Sequence, residues 1–198
     1  MTPQVRSLLG RLERFGREHD AAETAHAKKM LNLDRETAEL VALFLQLGRR
    51  RSVLEIGTSN GYSTIWLAAS VEAFDGFVVS IDRSPEKHAM ARANLSEAGL
   101  LDRVTLLTGE GTELVASLTQ TFEAVFFDAD RTSAPEQFRA LLPKLAPDAL
   151  LLADNVLSHP AEVAGYVAEV EGHSEFLTAT LHVGKGLHVA YRPGRPAR

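Results

Sequence analysis

The 198-residue chain contains no cysteine. Disulfides, thiolate metal sites and a cysteine nucleophile are therefore excluded, and a reducing compartment suits the composition. Nor is there an excess of basic charge. The 21 Lys and Arg against 26 Asp and Glu leave a formal −5, with both signs mixed along the chain. A dedicated nucleic-acid binder would show a basic face instead. No apolar run approaches the ~20 residues needed to span a bilayer. Met1 to Gly10 lacks a hydrophobic signal core and a small-residue cleavage site. The expectation is a cytoplasmic protein with no membrane or nucleic-acid partner. No repeat, low-complexity tract or long linker divides the sequence. One domain over residues 1–198 is expected, with a helical segment at 1–33 and a frayed Pro-, Gly- and Arg-rich tail at 193–198.

What is present is a 45% hydrophobic content. At this length a globular chain buries roughly 70% of its unfolded surface and needs no staple. Val5, Leu8, Leu9, Leu12 and Phe15 recur at helical spacing, predicting an amphipathic helix that covers the domain or a partner subunit. Asp34 reads as the cap of a second helix with apolar face Leu40, Leu43, Phe44 and Leu47 and a stop at Gly48. Arg49 to Arg51 read as a solvated helix end complementing the dipole.

Beyond this point strand and helix patterns alternate. Short apolar runs at Ser52–Ile56, Phe77–Ile81, Val104–Leu107, Ala124–Phe127 and Ala149–Leu152 predict buried strands. Helices are expected over Tyr62–Val71, from Ser84-Pro85 to Gly99, from Pro135 (Phe138, Leu141, Leu142 and Leu145 on one face) and from Pro160 (Val163, Ala164, Val167 and Val170 inward). Glu175–Thr180 and Leu187–Tyr191 have no helix between them and read as an antiparallel hairpin around Gly184-Lys185-Gly186, with Lys185 a solvated turn residue. The implied fold is α/β: a Rossmann-like, doubly wound, mostly parallel seven-stranded sheet ending in an antiparallel hairpin.

In such a sheet ligands bind beyond the carboxyl ends of the strands, near the switch point after the first strand. The sequence there is Glu55-Ile56-Gly57-Thr58-Ser59-Asn60-Gly61-Tyr62-Ser63. Gly57 and Gly61 allow a sharp turn and close approach of a ligand. The following helix directs free N–H groups at that ligand. Asp82 ends the second strand, where a carboxylate can accept both hydroxyls of a ribose. The pattern is Glu-x-Gly-x-x-x-Gly, not the G-x-G-x-x-G of a dinucleotide site. Glu55 would repel a pyrophosphate but suits a cationic amino-acid group. A tight turn with no ligand is the competing reading.

Two further strands end in carboxylates, at Asp128 and at Asp154-Asn155. Asp128, Asp154 and Asn155 would bring three hard oxygen ligands together on the edge that carries the glycine loop. Carboxylates so close raise each other's pKa unless a cation intervenes. Mg²⁺, Mn²⁺ or Ca²⁺ accepts such a set. Plain turn and loop chemistry is the alternative for all three residues.

The run Val53 to Thr64 resembles the first motif of class I S-adenosylmethionine (SAM)-dependent methyltransferases, and more narrowly the catechol and caffeoyl-CoA type of O-methyltransferase. The similarity extends from about Leu33 to Tyr191. It implies that Leu33, Gly57 and Ser63 contact the methionine portion of SAM, with Glu55 near its amino group. Asp82 would hold the ribose and Gly109, Glu110 and Gly111 would lie along the adenine, with Thr58, Gly61, Arg83 and Asp128 completing the cofactor set. Asp128, Asp154 and Asn155 match that family's divalent-metal ligands. Methyl transfer to a hydroxyl of a small, catechol-like acceptor is the implied reaction, and a homodimer the implied assembly. The family usually carries a lysine three residues after the first metal aspartate, and here that position is Arg131, which cannot accept a proton. Arg131 could instead supply positive charge near a developing phenolate. His159 has a suitable pKa for the proton. The segment from Asn155 to Pro160 is short, leaving no room for an acceptor-binding insertion. A metal-independent N- or O-methyltransferase, a nicotinamide-dependent oxidoreductase and a non-enzymatic SAM sensor remain as competing readings.

Overall fold

The computed structural model describes residues 1–194, so most of the 193–198 tail lies outside the described residues. Seven strands form one sheet: β1 (Ser52–Ile56), β2 (Phe77–Asp82), β3 (Val104–Thr108), β4 (Phe122–Phe127), β5 (Leu145–Ala153), β6 (Leu177–Leu181) and β7 (Leu187–Tyr191). Their order is β3-β2-β1-β4-β5-β7-β6. The first five are parallel, and β7 pairs antiparallel with both β5 and β6. The expected architecture is therefore the observed one. β1 is buried along its whole length because helices cover both faces and strands flank both edges.

Seven α-helices, among the described residues, connect and cover the strands: α1 (Pro3–Ala22), α2 (Arg35–Leu47), α3 (Tyr62–Val71), α4 (Pro85–Ala98), α5 (Gly111–Ser117), α6 (Ala134–Leu141) and α7 (Pro160–Gly172). Side chains alternate along each strand between two cores. Val53, Val78, Ala124 and Phe126 pack under α1 to α4, while Leu54, Ile56, Val79, Val125 and Phe127 pack under α5 to α7. No helix among the described residues is long and apolar enough to cross a membrane.

Several local expectations need correction. The buried face of α2 is Thr37, Ala38, Val41, Ala42 and Leu45, whereas Leu43 and Leu47 are 49% and 72% exposed. Small residues lie inward there because α2 packs closely on α3. Asp34 occupies the N-cap position of α2 without a side-chain capping bond. Arg50 is buried rather than solvated, and its guanidinium donates to Asp148 at 2.8 Å. In α7 the inward residue is Tyr166, not Ala164, because Tyr166 fills the space beside Phe127 and Phe138. Gly111 opens α5, a helix too short to show a convincing apolar period in the sequence.

The strand register matters most for function. Ile56 is level with Ile81 on one side and Phe127 on the other, and Phe127 is level with Ala153. The residues that follow, Gly57, Asp82, Asp128 and Asp154, therefore emerge along one edge of the sheet. Between β1 and β4 the chain reverses its direction of winding, the point at which sheets of this kind bind their ligands in a crevice.

Candidate active site

The loop after β1 is held in a conformation that only small residues adopt easily. Gly57 has φ +114° and Gly61 φ +85°, and Ser59 between them is also left-handed at φ +46°. A Cβ on Gly57 would overlap the backbone carbonyl of Asp128. The glycine loop and the acidic edge thus touch through a contact that requires glycine. Above the loop, the Ser59 hydroxyl donates to the carbonyl of Met30 at 2.7 Å, which seats residues 29–34 over it. Leu33 is buried there.

Glu55 is fully buried. Its carboxylate accepts from the hydroxyls of Ser63, Thr64 and Ser80, each at 2.5 Å. Burial pushes its pKa up to about 7, the three hydroxyls pull it down, and Asp82 adds to the rise. Glu55 therefore anchors α3 and β2 to the loop from beneath. The network continues: Thr58 and Ser80 share a hydrogen bond at 2.5 Å, and His88 bridges Thr58 and Thr108. Burial lowers the pKa of His88, so the neutral ring is favoured. Sequence reading missed His88 because a lone histidine on a helix carries no spacing signal.

Asp82 stands at the mouth of the crevice. Its two carboxylate oxygens accept the backbone N–H groups of Ser59 (2.8 Å) and Ser84 (2.9 Å). Lone pairs remain for a diol. The Gly109 N–H donates to the Asp82 carbonyl, bringing Gly109 to Gly111 beside it, while Arg83 is exposed.

On the acidic edge, the Asn155 amide donates to Asp128 at 3.2 Å. Asn155 sits at φ +69°, a conformation that asparagine tolerates better than most residues. Asp154 is buried and its Oδ1 has no hydrogen-bond partner. Burial, Asp154 and Glu55 together hold the Asp128 pKa well above the usual carboxylate range. Asp154 is pushed up to about 6, chiefly by burial, with Asp34 adding and the Asn155 N–H and Lys185 opposing. Within the expected set the structure joins Asn155 to Asp128, and Asp154 directly precedes Asn155 in the chain. Among the described residues no cluster of three His, Cys, Asp or Glu side chains is suited to a metal. The set is two carboxylates and one amide, and a buried carboxylate oxygen without a partner fits a hard cation.

Arg131 and His159 each have a partner of their own. The Arg131 guanidinium donates to Glu162 of α7 at 2.8 Å. His159 is exposed ahead of α7, sharing a hydrogen bond with Ser158, whose hydroxyl also contacts Asn155. Lys185, expected in solvent, is half-buried and its turn lies against the loop after β5. Sequence spacing could not show this, because β7 reaches β5 only through an antiparallel pairing across the sheet.

A profile described as "Methyltransferase domain" matches residues 54–156, just over half of the chain and the whole of the crevice-forming segment. The chain belongs to this methyltransferase domain family. Among curated relatives, the chain is 32% identical over 123 residues to the catechol O-methyltransferase of Niastella koreensis, covering 60% of this chain and 55% of the relative. It is 31% identical over 138 residues to the catechol O-methyltransferase of Mycobacterium tuberculosis, covering 69% of this chain and 62% of the relative. The chain thus spans little more than half the length of these relatives. Among solved structures, it superposes on the O-methyltransferase TomG of Streptomyces achromogenes in complex with SAM, with TM-score 0.81, 26% identity and coverage of 98% of this chain and 100% of that one. The Bacillus cereus O-methyltransferase in complex with SAH gives TM-score 0.80 and 25% identity, covering 94% and 90% respectively.

Proposed function

We propose that this methyltransferase uses SAM to methylate a hydroxyl of a small, catechol-like acceptor, with a divalent ion at Asp128, Asp154 and Asn155. The observation that carries this reading is the contact of Gly57 with the Asp128 carbonyl, which sets the donor loop directly against the acidic edge. The printed names of the relatives, catechol O-methyltransferases, support the acceptor class. The SAM- and SAH-bound structural neighbours support the donor.

In this reading Asp82 accepts the ribose hydroxyls, and Gly57, Gly61 and Ser63 leave room for the methionine portion. Leu33 closes that end, and Gly109 to Gly111 line the base. Glu55 contributes by holding the loop in shape, since its oxygens are already occupied by Ser63, Thr64 and Ser80. Asp128, Asp154 and Asn155 would hold an ion of the Mg²⁺ kind. When bound, such an ion lowers the pKa of a coordinated hydroxyl and fixes its oxygen. Arg131, tied to Glu162, contributes positive charge beside the acceptor rather than taking its proton. His159 is the nearest solvent-facing base in sequence to Asn155 and would pass a proton to bulk water. The proposal extends to a homodimer, whose contact would cover the exposed Leu43 and Leu47 on α2.

The test is turnover of a catechol panel with and without exhaustive chelation, alongside Asp154→Ala. The expected result is loss of at least 100-fold in rate in both cases (on the order of the ~3 kcal/mol such metal effects supply) with SAH affinity unchanged. Full activity in chelator, with Asp154→Ala near wild type, would favour the metal-independent methyltransferase instead.

A further inference from the structure

A cavity of about 300 Å³ lies between three segments: α1, residues 31–35 at the start of α2, and the turn before β7. That volume suits a small-molecule site. All three walls are bonded to the elements that build the crevice. The Ser59 hydroxyl of the glycine loop holds the Met30 carbonyl, and the Tyr62 hydroxyl of α3 donates to Glu13 of α1 at 2.7 Å. The N–H groups of Leu157 and Ser158 donate to the Lys185 carbonyl in the turn, at 3.0 and 3.1 Å. Leu157 is two residues after Asn155, so the Lys185 carbonyl lies within ~10 Å of the Asn155 backbone. On its other side the turn abuts α2, where a Cβ on Gly184 would lie 3.0 Å from Asp34 Oδ2. The cavity therefore sits beside both the glycine loop and the loop that bears Asn155.

The charges facing this cavity do not cancel. Glu13 accepts from Tyr62 and Arg35, and Asp20 accepts the N–H groups of Met30 and Leu31, so both carboxylates and Arg35 are engaged. What remains is the exposed Arg17, the half-buried Lys185 and the carboxylate of Asp34. Among the described residues, none of these three side chains takes part in an ion pair within 4.0 Å. Asp34 also makes no capping bond to α2. Two unengaged cations against one carboxylate leave this lining at +1, in a chain whose net charge is −5. Asn32, on the same wall, has a buried Oδ1 that accepts no hydrogen bond, and Leu31 and Leu33 add apolar surface. Gly184 and Gly186 have φ of +52° and +93°, which fixes how the turn presents the lysine between them.

We propose that this cavity is an anion subsite for the methyl acceptor, in which Arg17 and Lys185 bind a carboxylate carried by the ring that bears the reacting hydroxyl. The inference rests on the catechol reading above and narrows it to acidic catechols. The Arg17 guanidinium can donate two parallel N–H bonds to a carboxylate, and Lys185 supplies a point charge. Asn32 Oδ1 accepts from a hydroxyl or amino substituent, and Leu31 and Leu33 cover the ring. Asp34 opposes a second negative charge, so the lining favours a monoanion. Because the Lys185 turn is tied to the loop after Asn155, a carboxylate anchored there is held at a fixed distance from the acidic edge.

The test is calorimetric binding of two catechols to the SAH-bound full chain with Mg²⁺. Protocatechuate carries one ring carboxylate, and protocatechuyl alcohol has the same diol with no charge. Wild type should bind protocatechuate roughly tenfold more tightly than the alcohol, as charge-assisted hydrogen bonds to one carboxylate supply. Lys185→Met and Arg17→Met should each shrink that ratio, the double variant should bring it near one, and Lys185→Arg should retain it. Equal binding of both catechols by wild type, or a preference that survives in the double variant, would overturn this inference and leave the catechol reading standing. A fall in SAH affinity in the variants would also overturn it, since the cations would then serve the donor's own carboxylate. If wild type binds SAH but neither binds nor methylates either catechol, the acceptor class proposed above falls first and this inference with it.

Discussion

At the scale of the residue, Gly57 and Glu55 determine whether the crevice exists. Gly57→Ala places a methyl group into the Asp128 carbonyl at a φ of +114° that L-residues avoid. The expected cost is at least about 2 kcal/mol in stability. SAH binding should fall by more than tenfold, measured by calorimetry on the folded fraction. Glu55 makes a prediction about pH. Its folded pKa of about 7 exceeds the ordinary 4.5, so the folded chain binds more protons than the unfolded chain across that window. The sign follows: this group's contribution to stability is fully present below pH 4.5 and is lost as pH rises through 7. Glu55→Gln removes the titration. Urea denaturation from pH 4.5 to 8 should show the stability of Glu55→Gln rising relative to wild type by up to about 3 kcal/mol. A difference that is flat with pH would show that the three hydroxyls keep Glu55 ionised throughout.

At the scale of the element, α6 and α7 hold the acidic edge in place. Phe138 of α6 is fully buried and stacks edge-on with Tyr166 and Phe176. Phe138→Ala should cost about 3–5 kcal/mol, read as a lower denaturant midpoint at unchanged m-value. SAH affinity of the remaining folded protein should stay near wild type, because Glu55, Gly57 and Asp82 lie on other elements. The β6–β7 turn behaves differently. Gly186→Ala would drive a Cβ into Leu157 and its backbone N–H, displacing the turn from the loop after Asn155. Its damage should appear in Mn²⁺ binding more than in SAH binding. Equal loss of both ligands would show that the hairpin supports the whole sheet edge rather than the acidic corner.

At the scale of the whole molecule, exposed Leu43 and Leu47 lie one turn apart on α2 and stand out against a chain of net charge −5. Replacing both with lysine should leave helical content intact and convert a dimer to a monomer in sedimentation velocity. A wild-type chain that sediments as a monomer at all concentrations would remove the dimer from the proposal. Much of this molecule was legible before any coordinates. Short apolar runs, glycines at element ends and acids at strand ends are local signals, and they sufficed for the sheet and for placing Gly57, Asp82, Asp128 and Asp154 at strand ends. The sequence could not say that Glu55 turns inward to three hydroxyls, that Arg131 is drawn off by Glu162, or that α2 buries Val41 and Leu45 in place of Leu43 and Leu47. Nor could it set the turn at Lys185 against the loop after β5, although Lys185 follows Asp154 by 31 residues. Which residues can share a strand or a turn is decided by short-range sterics and is written in the sequence itself. Which charges end up facing one another depends on strand order and on how helices pack over the sheet, and only the assembled tertiary structure decides that.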